Sequence, residues 1–445
     1  MTTTAQTSST TGDMISPDEP YYAVPQEKLV PLSDHLGQLL PVAVSRITVI
    51  KNSMNAFRAA NPGQPTYDAS QGDGGASLPG TPPEVLERAL ALQIKQGTAY
   101  VPPAGTEDFR RSVIEQYWKV QPGLGLGPQN VLAASGGRDA LNKAYEAALH
   151  LGHGRQGDAV VVSRVPWLCY NWGPYMLGGN VIWAPGREEE GWAYTEDSLR
   201  ACVDMAARTG RKIAAVVITC PDNPTGLTQT PERQAALGKA ALRAGAAYVI
   251  YDWMYHYVTD ESPMDLNTFL PLFTSEERRR IMVIDGLTKS LGGSNIRGAH
   301  LIAAQEVIDF NAARMSHMSV PTFYSMAVAM AAYEMGYENA SRSIVEPTNA
   351  SRKLLQTFLQ EQELRHIIGK GYYAFINVRR WLERQGWGDS EQLAEYLGKN
   401  IGLAVVPGSS FSPFGREWVR FSYATPPAIT MEAARRLVQG LASLE

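Results

Sequence analysis

The sequence predicts an α/β protein: a large domain with a mostly parallel sheet between helices, followed by a smaller α+β domain. Three observations predict it. From about residue 125, short β-rich runs alternate with longer helical periods, the pattern of crossover units around a parallel sheet. The last quarter mixes strand and helix without that alternation. The chain's 445 residues, 44% of them hydrophobic, exceed what one core usually holds.

The elements follow in order. Residues 1–20 are rich in Thr and Ser and end acidic; they read as a disordered lead-in, without the basic start and apolar stretch of a signal peptide. Residues 21–75, punctuated by Pro and Gly, close no core of their own and are expected to pack with the small domain. The large domain spans 76–335. Its first clear strand is Asn130 to Ala134, and after Gly136 and Gly137 comes a helix whose apolar side is Leu141, Ala144, Tyr145, Ala148 and Leu149. Further strands are expected at 159–163, 213–219, 247–251 and 281–284. A crossover helix spans Pro231 to Ala244, with Gly245 as its stop. The small domain, 336–445, has strands at 372–378 and 419–423, a helix at 390–399 and a closing helix from Thr430.

Composition excludes several function classes. The formal net charge is -4 and the charges are mixed along the chain, so there is no basic stripe for nucleic acid. Cys169, Cys202 and Cys220 are odd in number and not at metal-ligand spacing; they indicate packing residues in a reducing, cytoplasmic compartment and no metal site. No apolar run approaches the roughly 18 residues that span a bilayer.

Chemistry is carried by scattered segments. Lys289 lies just past the apolar run Ile281 to Ile284, beside Thr288, Ser290, Gly292 and Gly293. A partly desolvated lysine there forms a Schiff base with an aldehyde; the alternative is a solvated loop lysine. In Ser135-Gly136-Gly137-Arg138 a strand passes through two glycines into a helix, which either cradles phosphate or makes a tight turn. Arg297 supplies a fork for phosphate oxygens or is a surface charge. Asn223, in Cys220-Pro221-Asp222-Asn223-Pro224-Thr225-Gly226, sits in a turn after an apolar strand and faces the crevice where open α/β sheets bind ligands. Asp252 ends the next strand, where it caps a turn or pairs with a cation. Against a pyridinium at close range, the attraction is about 4 kcal/mol at an effective dielectric near 20.

Taken together, these residues resemble the class I and II aminotransferases, fold-type I enzymes that use pyridoxal 5'-phosphate. The resemblance runs from about Val44 to the end. It implies that Lys289 carries the cofactor and acts as base, and that Arg297, eight residues on, binds its phosphate. It further implies Asn223 and Tyr255 at the cofactor's ring oxygen and Asp252 at its ring nitrogen. Gly136, Gly137 and Arg138 look like the phosphate cup, Thr288 is among the cofactor-binding residues, and Trp167 stacks on the ring. Tyr100 reaches a neighbouring subunit's phosphate, which implies a homodimer with shared sites. Arg420, Gly72, Asn223 and Tyr170 meet the substrate, Arg420 clamping its α-carboxylate. The implied reaction moves an amino group from an L-amino acid to a 2-oxo acid by a ping-pong mechanism.

Departures from the family pattern point to a specialised member. Gly286 stands where many members carry a phosphate-binding hydroxyl, Arg138 where a small or amide side chain is common, and Trp253 where an acidic residue is common. The run Ser319 to Tyr324 has no arginine for a second carboxylate, which favours aromatic or apolar amino acids, with Trp167, Tyr170, Trp253 and Tyr324 as candidate pocket residues. A lyase or an oxidase of the same fold remains an alternative, since the residues that steer the carbanion's fate lie outside these motifs. A non-enzymatic cofactor-binding regulator is a further one.

Overall fold

The computed structural model describes Ser16 and residues 18–29 and 47–445. Most of the expected lead-in, and the start of the resemblance at Val44, lie outside the described residues. Among the described residues the largest sheet has eight strands, in the order Tyr21–Tyr22, Asn180–Trp183, Ala159–Val162, Ile213–Thr219, Tyr248–Asp252, Ile281–Gly286, Ala299–Ile302, Val131–Ala134. Tyr21–Tyr22 and Ala299–Ile302 run against the rest, and the central pairs are parallel.

The apolar runs lack polar alternation because both faces of the sheet are covered. In Tyr248–Asp252, Val249 and Tyr251 enter one core, whereas Tyr248 and Ile250 enter the core on the opposite face, as the two-residue period of a strand requires. Each such aliphatic side chain contributes about 1.5–3 kcal/mol by leaving water. The helix Gly137–Leu151 buries Leu141, Ala144, Tyr145 and Ala148. The crossover helix runs Pro231–Ala244: Thr230 Oγ1 caps it by accepting from Arg233 N, and Gly245 ends it at φ 107°.

Besides the short Tyr21–Tyr22, two strands of this sheet escape the sequence pattern, Asn180–Trp183 and Ala299–Ile302. Each is four residues long and contains a polar residue, Asn180 or His300, so neither forms a continuous apolar run. Both polar residues are buried all the same.

A second sheet has the order His366–Ile368, Tyr373–Asn377, Trp418–Ser422, Val406–Pro407, all antiparallel. The closing helix begins at Pro427, three residues before the expected start. The helix expected at 390–399 is regular over Ser390–Tyr396 and continues in wider turns to Ile401, before Gly402 at φ 70°. The segment 21–75 does not act as one body. Tyr21–Tyr22 pairs with the large sheet, and the buried Arg164 guanidinium donates to Ser16 O and Glu19 O beside it. Ile47–Ala60 packs against the Leu397–Ile401 turn, and Tyr67–Asp68 pairs with Leu403–Ala404. The long helix Tyr337–Glu361 places Tyr337 and Ala340 in the large core and Leu355 and Leu359 in the small one.

Candidate active site

Parallel strands bring their C-terminal ends to one edge of a sheet, where α/β proteins bind ligands. Gly136 and Gly137 follow Val131–Ala134, Trp167 follows Ala159–Val162, and Asn223 follows Ile213–Thr219; Asp252 ends its strand and Lys289 lies three residues past Gly286. The second sheet supplies Arg420 from Trp418–Ser422.

Lys289 is held from several sides. Its Nζ donates to Gly72 O, the Tyr255 and Tyr372 rings lie 5.5 and 5.8 Å away, and Tyr372 Oη donates to Lys289 O at 2.5 Å. Desolvation pulls the ammonium below the ordinary lysine value, and Arg420 and Arg138 lower it further, against Tyr373 and Asp73. An amine so placed is more readily neutral, and so nucleophilic and basic at ordinary pH.

Asp252 is buried and accepts from Tyr170 Oη at 2.6 Å and from Met254 N at 3.1 Å. Burial raises its carboxyl, while these two bonds and Lys289 oppose the rise. Tyr170 itself is 3% exposed, its hydroxyl shared between Asp252 and Thr219. It therefore supports the carboxylate and does not face a substrate pocket, contrary to the expectation. Trp253 is likewise no pocket residue: it is fully buried, its Nε1 bonded to Gln234 Oε1.

Arg420 is a buried cation with neutral partners. Nη1 donates to Asn223 Oδ1 at 2.9 Å and Nη2 to Ser70 O at 2.8 Å, while Nε has no partner among the described residues. Its guanidinium lies 4.1 Å from the Tyr373 ring centroid and 5.3 Å from that of Phe411. A buried guanidinium without a carboxylate of its own is suited to bind one from a ligand.

The glycine turn fits a phosphate. Gly136 has φ 86°, and a Cβ there would run into the Arg297 guanidinium, so glycine lets the backbone and the arginine meet. Arg297 donates to Ser294 O at 2.9 Å and Ser135 O at 3.1 Å. Thr288 Oγ1 is buried with no partner among the described residues, and the 15-residue helix from Gly137 opens here without a side-chain cap on its amides. Gly286 lacks a hydroxyl for a packing reason: a Cβ would stand 2.6 Å from Gly298 O, where the next strand enters. Arg138 is exposed, its guanidinium 5.4 Å from the Trp167 ring. Tyr100 is 97% exposed and joins none of these contacts. A cleft of about 840 Å³ opens beside Arg297, lined in part by Ser135, Thr81, Thr322 and Tyr324.

Sequence reading missed Tyr372 and Tyr373, which flank Lys289 from the small sheet. Their signal was a tyrosine pair opening a strand directly after Gly371.

The family described as aminotransferase class I and II matches residues 68–438. The chain belongs to the class I and II aminotransferases. This aminotransferase is an enzyme dependent on pyridoxal phosphate, acting on amino acid and 2-oxo acid substrates. An aspartate aminotransferase of Bacillus subtilis is 25% identical to it over 366 residues, 80% of this chain and 87% of that one. An aspartate/prephenate aminotransferase of Thermus thermophilus is 27% identical, covering 81% and 88%. A double mutant of a Thermus thermophilus aspartate aminotransferase shares the fold, with TM-score 0.76 and 23% identity over 91% of this chain and 100% of that one. Among the described residues of this aminotransferase, no helix is long and apolar enough to cross a membrane.

Proposed function

We propose that this aminotransferase transfers the amino group of aromatic or apolar L-amino acids to a 2-oxo acid, using the residues gathered at the strand ends. Bound pyridoxal phosphate supplies an electron sink conjugated to the substrate's α-carbon. Gly136, Gly137, Thr288, Arg138 and Arg297 hold its phosphate, Trp167 packs on its ring, and Asn223 and Tyr255 bond its ring oxygen. Asp252, steadied by Tyr170, keeps a proton on its ring nitrogen. Arg420 binds the α-carboxylate through paired hydrogen bonds, with Gly72 and Asn223 beside it. Lys289 Nζ would hold the cofactor's aldehyde carbon and, when free, would serve as the base that accepts and gives back the substrate's α-proton. Two such half-reactions make the ping-pong cycle.

The observation that carries this reading is the meeting of Arg420, Asn223 and Ser70 O at 2.8–2.9 Å across the two sheets, within the electrostatic reach of Lys289. The rings of Tyr373 and Phe411 around Arg420 support an apolar side chain, and Asp73, whose charge reaches Lys289, disfavours an acidic one. A second reading, an acidic donor, has support from Arg138, whose charge also reaches Lys289, and from relatives named aspartate aminotransferases. A spectroscopic screen of amino donors against the cofactor-loaded protein separates them: phenylalanine or leucine bleaching the visible band faster than aspartate supports the first, and the reverse order the second. Stoichiometric exchange of 2-oxo acids accompanies either; release of ammonia or peroxide would mark a lyase or oxidase instead. Tyr100, exposed on the single chain, is proposed to complete the site of a partner copy in a homodimer. The three unpaired cysteines support a cytoplasmic location.

A further inference from the structure

We infer that Tyr373 is a positioning residue for transamination: its hydroxyl donates to the Tyr255 phenol and fixes that phenol's direction, while its ring carries the Arg420 guanidinium. The inference rests on the proposed contact between Tyr255 and the cofactor's ring oxygen. Tyr373 is 2% exposed and opens the strand Tyr373–Asn377, paired with the strand that bears Arg420. Its Oη lies 3.0 Å from Tyr255 Oη, and the Arg420 guanidinium covers its ring at 4.1 Å from the centroid. A Cβ at Gly72 would collide with the Tyr373 hydroxyl and stand 3.6 Å from Lys289 Nζ. Tyr373 thus touches the carboxylate clamp with its ring and the lysine's surroundings with its oxygen.

The hydrogen bond between the two phenols uses one proton and one lone pair. A Tyr255 that gives its own proton to the ring oxygen must accept in this bond, so Tyr373 is the donor. An accepted bond also strengthens the donation from the same hydroxyl. Without it, Tyr255 keeps an unpaired buried lone pair and a freer rotor. A donor at the ring oxygen competes with a proton for that oxygen's lone pairs, so weakening the donor raises the pH at which the loaded protein takes up its colour-changing proton.

The two parts of the side chain separate in substitutions. Tyr373→Phe keeps the ring and loses the hydroxyl: kcat falls about tenfold while KM for the amino donor moves less than about twofold. The pH midpoint of the visible band rises by about half to one unit. Tyr373→Leu, which also removes the ring under Arg420, raises KM about tenfold or more in addition. Tyr255→Phe raises the midpoint further, and the double variant Tyr255→Phe/Tyr373→Phe titrates like Tyr255→Phe alone, because Tyr373 acts through Tyr255. An unmoved midpoint in Tyr373→Phe, or a shift that adds fully to that of Tyr255→Phe, overturns the inference and leaves the role of Tyr255 intact. A wild-type midpoint in Tyr255→Phe overturns the role of Tyr255 and the inference with it.

Discussion

At the scale of single residues, the site depends on one amine kept out of water. Lys289 Nζ rests on Gly72 O between two tyrosine rings, and the same desolvation that lowers its proton affinity suits it to the nucleophile's role proposed for it. Lys289→Ala is therefore expected to abolish the visible band of the cofactor-loaded protein and to cut turnover by several orders of magnitude, while circular dichroism stays native. Full activity in that variant would remove the lysine from the chemistry. Lys289, Asn223, Asp252 and Arg297 were legible in the sequence because each sits within a few residues of an apolar strand or glycine turn that announces its position. Tyr373 also opens a strand close after Gly371, but its partners were not legible in that way. Its place is set by contacts with Gly72, Tyr255 and Arg420, residues far from it in sequence or, for Arg420, on a neighbouring strand, and no local pattern encodes such a meeting. Tyr170 shows the reverse: its spacing from Trp167 was visible, but the direction of its hydroxyl, toward Asp252, follows from packing alone.

At the scale of elements, the start of the helix Gly137–Leu151 is shaped by what must approach it. Gly136 has φ 86°, and the Arg297 guanidinium occupies the space of any Cβ. Gly136→Ala thus meets backbone strain of about 1–2 kcal/mol and displaces the arginine. The expected result is a modest fall in melting temperature with a tenfold or greater loss of affinity, by order of magnitude, when apoprotein is titrated with pyridoxal phosphate. Unchanged affinity would place the phosphate elsewhere. The strand Ala299–Ile302 holds a different lesson. His300 interrupts its apolar pattern, yet it is buried and its Nε2 accepts from Trp118 Nε1 at 2.9 Å, so it packs as a neutral ring. Burial pushes its pKa down from 6.5 to about 4. Because the folded value is depressed, this neutral histidine stabilises the fold fully above pH 6.5 and ceases to do so as pH falls through about 4. The shift corresponds to about 3 kcal/mol at most. His300→Gln keeps an acceptor for Trp118 without titrating, so urea denaturation across that window should show a shallower acid loss than wild type. Parallel curves for the two proteins would refute the burial argument.

At the scale of the whole molecule, the site exists only where separate bodies meet. Arg420 comes from the small sheet and Asn223 follows a strand of the large one, and the helix Tyr337–Glu361 joins the two cores, so the proposed binding of a carboxylate by Arg420 would bear on how the sheets sit together. The proposed partner copy would meet the chain near Tyr100, 97% exposed, with Ile94 at 72% and Leu90 at 53% on the preceding helix. Large apolar side chains grouped on a surface mark contact sites, and a two-fold dimer would bury the same patch on both copies. If Tyr100 serves the partner's phosphate site, a Tyr100→Ala subunit and a Lys289→Ala subunit complement each other. In a mixed dimer one site then holds both Lys289 and Tyr100, while the other holds neither. Equal co-expression should restore about a quarter of wild-type activity, since half of the dimers are mixed and each carries one intact site. Either variant alone stays well below that, Lys289→Ala because it lacks the amine and Tyr100→Ala because every site lacks the hydroxyl. If Tyr100 instead served its own chain, no pairing would regenerate an intact site, because each wild-type Lys289 would remain beside a missing Tyr100, and co-expression would only dilute the Tyr100→Ala activity. Recovery above the Tyr100→Ala level therefore requires the hydroxyl to cross between subunits, and its absence in verified mixed dimers would confine each site to one chain.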